Sequence, residues 1–237
     1  MRVLETFGTD RTVQTASEIG RRARLPSSTA HRMVADIVEC GRLERDEDQR
    51  VRLGMRLWEL ALRGSHALRL RQAALPFMER AQARLREHTQ LAVLENSEAL
   101  FVERLSRPKA GANITRIAGR LPLHASSSGL VLLAHGPQKL QEHVLTKPLE
   151  AVSSHTATGP AQLRRLLADI RRNGVVVAPG SVESVSTGIA VPVREQRDHV
   201  ITALSVVLPR DAPTGPAVEE LRAAATGTAA ALRAQRP

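Results

Sequence analysis

The 237-residue chain is long enough for one large or two modest domains, and its formal net charge of +10 comes almost entirely from arginine. This balance favours a polyanionic partner. The single cysteine, Cys40, excludes an internal disulfide and a cysteine-rich zinc site. Aromatic residues make up 2% of the chain, which argues against a single-strand nucleic-acid binder, because such proteins stack bases on aromatic side chains.

The sequence contains no run of 18 apolar residues and no secretory signal at its start, so we expect a cytoplasmic protein with no membrane partner. The basic excess is small in residues 1–72, which hold 14 arginines and 10 acidic residues. Any claim of DNA binding must therefore rest on the pattern of residues, with charge as support.

Two helices joined by a tight turn are predicted between Thr15 and Cys40. Thr15 and Glu18 have the spacing of a capping box, which predicts a short helix from Ala16 to about residue 24. Pro26 ends this helix and favours the first turn of the next, which runs from about Ser27 to Cys40. This arrangement is typical of a helix-turn-helix.

The second helix presents a polar face at its start, because its apolar residues recur at helical spacing and must face inward. The outward residues of its first turns are small hydrogen-bonding side chains and an arginine, which suit the major groove of DNA. We expect Ser27 to contact DNA, Ser28, Thr29 and His31 to lie near base edges, and Arg32 and Arg42 to contact phosphates. Two alternatives remain open: a small helical domain that docks protein, and a His31 that is merely solvated.

A hairpin should follow, since residues 43–45 and 51–53 are β-forming and flank the polar run 46–49. It completes a winged helix-turn-helix over residues 1–54. The hairpin carries Arg45, Arg50 and Arg52, which either contact DNA or form a plain solvated face.

Residues 55–72 are predicted to form a connecting helix. Met55, Trp58 and Leu62 belong to an apolar set that covers more than one face, so the helix must be buried or shared with a second subunit. Gly64 and Pro76 interrupt the pattern, and a further helix is expected from Pro76 to His88.

Residues 73–237 mix strands and helices without strict alternation, which predicts an α+β domain with an antiparallel sheet covered by helices. Strands are expected at 91–93, 100–105, 175–177, 189–193 and 201–208. Helices are expected at 130–134, 138–145, 161–172 and 217–234.

The whole chain resembles the IclR family of transcriptional regulators. The resemblance is carried by the stretches RVLETFG, ASEIGRRARLPSSTAHRMVADIVECGRLER, VRLGMRLWELA, LAVLENSEALFVERL, GRLPLHASSSGLVLLA, STGIAVPV and ALSVVLP. It implies a winged helix-turn-helix, a connecting helix and a GAF-like effector-binding domain. It also implies a dimer or a dimer of dimers on a palindromic double-stranded operator, and a small organic acid as effector.

The resemblance places an effector pocket in the C-terminal domain. The residues it assigns there are Leu121, Leu123, Ser126, Ser127, Ser128, Ser186, Thr187, Gly188, Ile189, Ser205 and Val207. Many family members have an acidic residue at Ala178, a cysteine at Gly188 and a serine at Val207, so this pocket is less polar. We therefore expect a bulkier, flatter ligand than a small oxoacid, such as an aromatic carboxylate.

The three serines precede a predicted helix, whose free amides and partial positive charge suit a carboxylate. The alternative is that they only cap the helix.

An enzyme is the rival class, because His124 lies close to Ser126–Ser128 and invites a hydrolase interpretation. The sequence has no G-x-S-x-G elbow and no H-E-x-x-H pair, so we expect no enzyme, no cofactor and no metal site. A second rival is a ligand-sensing adaptor that does not bind DNA.

Overall fold

The computed structural model describes residues 1–8, 10–106, 115–195 and 199–235. The chain divides into two compact units, Met1–Ser65 and His66–Pro237. Each unit has its own hydrophobic core.

The first unit is a winged helix-turn-helix. Its elements are a 3-10 helix Leu4–Thr6, β1 (Val13–Gln14), α1 (Ala16–Ala23), α2 (Ser27–Glu39), β2 (Leu43–Arg45), β3 (Val51–Leu53) and α3 (Met55–Gly64). The three strands form an antiparallel sheet in the order β1-β3-β2. Ile19, Val34 and Leu43 are fully buried in its core and join α1, α2 and the wing.

The predicted capping box at the start of α1 is confirmed. The Thr15 hydroxyl accepts a hydrogen bond from the Glu18 amide at 3.2 Å, and the Glu18 carboxylate accepts one from the Thr15 amide at 2.8 Å. This backbone hydrogen bond is the main reason that the pKa of Glu18 lies below its usual value. Arg24 ends the helix in the left-handed conformation, with φ of 53°.

The α1–α2 crossing depends on Gly20. A Cβ atom at this position would lie 2.8 Å from the Cβ of Ala30, closer than two carbon atoms approach without a shift. Two small residues therefore let the helices pack closely.

The second unit carries a six-stranded antiparallel sheet in the order β6-β5-β4-β9-β8-β7. Its strands are β4 (His88–Glu95), β5 (Glu98–Leu105), β6 (Arg120–Pro122), β7 (Val176–Pro179), β8 (Ser186–Arg194) and β9 (Val200–Pro209). Its helices are α4 (His66–Leu85), α5 (Ser127–His135), α6 (Gln138–Leu145), α7 (Pro160–Asn173) and α8 (Gly215–Ala234).

Helices cover both faces of this sheet. On one face, Ile189 and Val206 pack against α4 and α8. On the other face, Ala190 and Ala203 pack with residues of α5 and α7.

Pro76 does not begin a new helix, as the sequence predicted, but lies inside α4. A proline within a helix removes one hydrogen bond. Leu70 and Ala74 before it and Met78 after it are all buried in one core, so packing on both sides of Pro76 offsets that loss. His88, predicted as the last residue of that helix, instead begins β4.

The apolar face of α3 is not covered by the rest of the first unit. None of its residues is buried, and Trp58 is 60% exposed. Its contact with a second subunit stays a prediction. The limits 1–54, 55–72 and 73–237 for the functional domains also stay a prediction.

Candidate functional sites

The first candidate site is the exposed start of α2. Ser27, Ser28, His31 and Arg32 are exposed and Thr29 is half-buried, while the neighbouring Ala30 faces the core. No side chain caps this helix, because Pro26 precedes it. Its first amides remain available, and a helix N-terminus of this kind attracts phosphate.

His31 is held against the preceding helix. Its Nε2 lies 3.3 Å from the hydroxyl of Ser17 on α1. The side chain is otherwise exposed, and its contact with DNA stays a prediction.

The arginines near the wing fall into two groups. Arg45 donates to the backbone oxygen of Gln49 at 3.3 Å, and Arg52 forms an ion pair with Glu44 at 3.2 Å. In contrast, the guanidinium groups of Arg32, Arg42 and Arg50 make no hydrogen bond or ion pair with the described residues. These three are exposed and available to a polyanion.

Glu44 joins the wing to α3. Its Oε1 accepts a hydrogen bond from the Met55 amide at 2.7 Å, which supplies the missing cap of α3. This backbone hydrogen bond, followed by the contact with Arg52, lowers the pKa of Glu44. One glutamate side chain therefore links the wing to the start of α3.

The second candidate site is a small cavity under the N-terminus of α5. Seven residues that the resemblance assigned to a pocket line it: Leu121, Ser126, Ser127, Ser128, Ser186, Gly188 and Val207. Seven further residues also line it: Gln90, Phe101, Thr115, Ala178, Ser181, Val182 and Glu183. Eight of these fourteen residues are polar, and the apolar part of the lining includes Phe101, Leu121, Val182 and Val207.

Four of the assigned residues lie outside the cavity. Leu123 is buried in the core beside α5. Ile189 packs on the opposite face of the sheet, and Thr187, on the same face as Ile189, donates to the backbone oxygen of Arg210 at 3.3 Å. Ser205 lies directly behind the lining residues. Side chains alternate along a strand, so Thr187 and Ile189 cannot share a face with Gly188.

A chain of hydrogen bonds crosses the floor of the cavity. Ser128 donates to Ser205 at 2.8 Å, and Ser205 donates to Gln90 Oε1 at 3.3 Å. Gln90 Nε2 in turn donates to the hydroxyl of Thr115 at 2.5 Å, and Arg104 donates to the Thr115 backbone oxygen at 2.6 Å. The side-chain amide of Gln90 is therefore held at both ends.

The three serines of α5 have different roles. Ser126 is the N-cap and accepts a hydrogen bond from the Gly129 amide at 3.1 Å. The Ser128 hydroxyl donates its hydrogen bond to Ser205. The Ser127 hydroxyl makes no hydrogen bond with the described residues and faces Gly188, where a Cβ would come within 2.8 Å of it. Ser127 is thus the serine whose hydroxyl is available to a ligand, together with the free amides of the first turn.

His124 does not contact these serines. Its Nε2 lies 2.8 Å from the backbone oxygen of Glu150, and the ring is buried beside the cavity rather than in it. The hydrolase interpretation needed an imidazole within reach of a serine hydroxyl. The described geometry does not bring them together.

The described part of the chain holds no group of three or more histidine, cysteine or acidic side chains arranged to hold a metal ion. None of its helices is both long and apolar enough to cross a membrane.

A winged helix-turn-helix joined in one chain to a domain with a small-molecule cavity defines a DNA-binding transcriptional regulator with a ligand-binding domain. Comparison with known proteins agrees. Residues 1–47 match the IclR helix-turn-helix domain, and residues 64–234 match the bacterial transcriptional regulator IclR C-terminal domain. The chain belongs to the IclR family of transcriptional regulators, as the sequence predicted.

Three relatives illustrate the similarity. An IclR homolog from Microbacterium hydrocarbonoxydans, solved in complex with 4-hydroxybenzoate, is 63% identical with a TM-score of 0.95, over 99% of this chain and 97% of that one. An IclR homolog from Microbacterium sp. strain HM58-2 is 61% identical with a TM-score of 0.69, over 100% and 97% of the two chains. The regulator XynR of Escherichia coli is 29% identical over 87% of this chain and 82% of its own.

Proposed function

We propose that this protein is a repressor or activator that binds a palindromic operator as a dimer or dimer of dimers, and that an aromatic carboxylate bound under α5 changes its affinity for that operator. The ligand is 4-hydroxybenzoate or a close analogue. The protein performs no chemistry on it.

The main support for this ligand is the Microbacterium hydrocarbonoxydans relative, which was solved in complex with 4-hydroxybenzoate and is 63% identical over 99% of this chain. The shape and chemistry of the cavity support the same class. Ala178, Gly188 and Val207 provide space and apolar surface for a ring, and the Ser127 hydroxyl and the first-turn amides of α5 provide donors for a carboxylate.

The operator-binding proposal rests on the exposed start of α2. Ser28, Thr29 and His31 read base edges, and the unpaired Arg32, Arg42 and Arg50 contact phosphates. Exposed apolar residues of α3, including Trp58, supply the contact between two subunits, and a two-fold pair of recognition helices matches a palindrome.

The test is a fluorescence-anisotropy titration of the full chain on DNA from upstream of its own gene, with and without saturating 4-hydroxybenzoate. We expect specific binding whose dissociation constant shifts with the ligand, because a ligand that favours one of two states changes the affinity of the other site. Absence of DNA binding under all conditions would favour the adaptor, and turnover of the bound acid would favour an enzyme.

A further inference from the structure

The lining of the cavity includes an acidic residue that the proposed function leaves unexplained. Among the described residues that line it, Glu183 is the one with an ionisable group, and no lysine or arginine accompanies it. A carboxylate is an unexpected neighbour for a carboxylate ligand, because like charges repel.

We propose that Glu183 is the specificity-determining residue of this cavity. It accepts a hydrogen bond from a donor on the aromatic ring, away from the carboxylate of the ligand. The inference rests on the proposed function and narrows its ligand class to benzoates that carry a hydroxyl or amino group, in preference to the unsubstituted acid.

The Glu183 side chain is half-buried, yet its carboxylate makes no hydrogen bond or ion pair with the residues that the structure describes. A bound ring displaces water from this carboxylate, and removing water from an unpaired carboxylate is energetically unfavourable. A donor on the ring replaces the lost hydrogen bond, whereas a C–H group at the same place does not.

The loop that carries Glu183 is fixed on both sides. Before it, the backbone oxygen of Gly180 accepts from Ser153 at 2.6 Å, and that of Ser181 accepts from Thr156 at 2.7 Å. After it, the Ser186 amide donates to the Glu183 backbone oxygen at 3.0 Å. Since the loop does not need to be ordered by the ligand, the hydrogen bond to Glu183 contributes directly to affinity.

Charge also orients the ligand. The N-terminus of α5 presents partial positive charge and the Ser127 hydroxyl, while Glu183 presents a negative charge. The ligand carboxylate therefore binds to the amides of α5 rather than beside Glu183, and apolar lining residues such as Phe101 and Val182 contact the ring. Selectivity for a ring donor follows from the same arrangement that holds the acid.

The experiment is calorimetry of four acids with four forms of the full-length protein. The acids are 4-hydroxybenzoate, 4-aminobenzoate, 4-methoxybenzoate and benzoate. The proteins are the wild type, Glu183→Ala, Glu183→Gln and the control Glu219→Gln, which changes an exposed acid of α8 outside the cavity.

We expect the wild type to bind 4-hydroxybenzoate on the order of ten-fold more tightly than benzoate, the effect of one hydrogen bond to a charged group. The ratio should fall to about one in Glu183→Ala through weaker binding of the donor-bearing acids, with benzoate bound at least as well as before. Glu183→Gln keeps an acceptor oxygen and should give an intermediate ratio. Glu219→Gln should match the wild type.

Two results would overturn the inference alone: a wild type that binds all four acids without preference, or a Glu183→Ala protein that keeps the full preference. A wild type that binds none of them would overturn the proposed ligand class and this inference together. Thermal unfolding of each variant confirms that it is folded.

Discussion

The exposed start of α2 and the cavity under α5 are built in opposite ways. The DNA-binding candidates of α2 lie within residues 27–32, and their side chains point to solvent with few partners. The cavity draws its lining from all six strands of the sheet, from α5 and from the loop before β8. Its polar side chains bond one another, as in the chain from Ser128 through Ser205 to Gln90.

This difference has an energetic consequence. Residues on a solvated surface that share no partners act nearly independently, so each substitution should remove its own contact with DNA. Residues packed around a cavity are coupled, so a change in volume or in one hydrogen bond affects its neighbours. We therefore expect graded effects at α2 and steep effects at the cavity.

Filling the cavity should have the largest effect. A Cβ at position 188 already comes 2.8 Å from the Ser127 hydroxyl, so Gly188→Val forces methyl groups into the space for the ring. We expect affinity for 4-hydroxybenzoate to fall on the order of 100-fold, roughly 3 kcal/mol, measured by calorimetry. DNA binding without ligand should persist.

Gly215→Val is the control for this substitution, since nothing lies within 4 Å of a Cβ there. Unchanged ligand affinity in Gly188→Val would mean that the ligand binds elsewhere. The expectation of steeper effects at the cavity than at α2 would then be wrong.

Removing one arginine of α2 should have a smaller effect. Arg32→Ala is expected to weaken operator binding roughly ten-fold at low salt and to reduce the slope of log K against log salt by about one, the share of one phosphate contact. Anisotropy titrations over a salt series measure both. Arg165→Ala, an exposed arginine of α7, removes the same charge from the other unit and should leave the slope unchanged. An identical salt dependence for Arg32→Ala and wild type would contradict the phosphate contact.

The serines of α5 offer a finer test, because two neighbours should respond differently. Ser127→Ala removes an unpaired hydroxyl and should weaken 4-hydroxybenzoate binding about five-fold, near 1 kcal/mol, with little change in thermal stability. Ser126→Ala removes the N-cap hydrogen bond to Gly129 and should lower the free energy of unfolding by about 1 kcal/mol. If Ser126→Ala lost affinity without losing stability, the capping role would be excluded.

The smallest effect concerns the capping box of α1. The pKa of Glu18 is lowered in the folded state, so its contribution to stability is complete above its unfolded value near 4.5 and disappears as pH falls through the folded value. The difference in melting temperature between wild type and Glu18→Gln should therefore be present at pH 7 and shrink below pH 4.5. Glu47→Gln, at the exposed wing tip, is the matched control. A difference that stays constant with pH would contradict the carboxylate's role.

Much of the fold was accessible from local patterns. The capping box, the proline before α2 and the polar run 46–49 predicted the helix-turn-helix and its wing, and α6 was predicted at its observed limits, residues 138–145. The short strands β1 and β6 were missed, since two or three residues are too few to show alternation. Pro76 misled the prediction, because burial on both sides of it, rather than local propensity, holds α4 together.

Only part of the cavity lining could be predicted from the sequence. The alternation of β8 predicts that Gly188 and Ile189 face opposite sides, a rule that separates them without a structure. Gln90 offered a weaker signal, as a polar residue inside an apolar strand. Glu183 offered none, because it lies in a loop whose path is set by Ser153 and Thr156 of another loop.

The amino-acid sequence by itself determined the winged helix-turn-helix, since its signals act between residues a few positions apart. It also predicted a helix with serines at its start. Only the tertiary structure decided that the Ser127 hydroxyl, unlike that of Ser126, is not used by the described residues and that Glu183 lines the same cavity. The physical reason is distance along the chain: Gln90 and Ser205, which meet at the cavity floor, are separated by 115 positions, and no local pattern encodes such a contact.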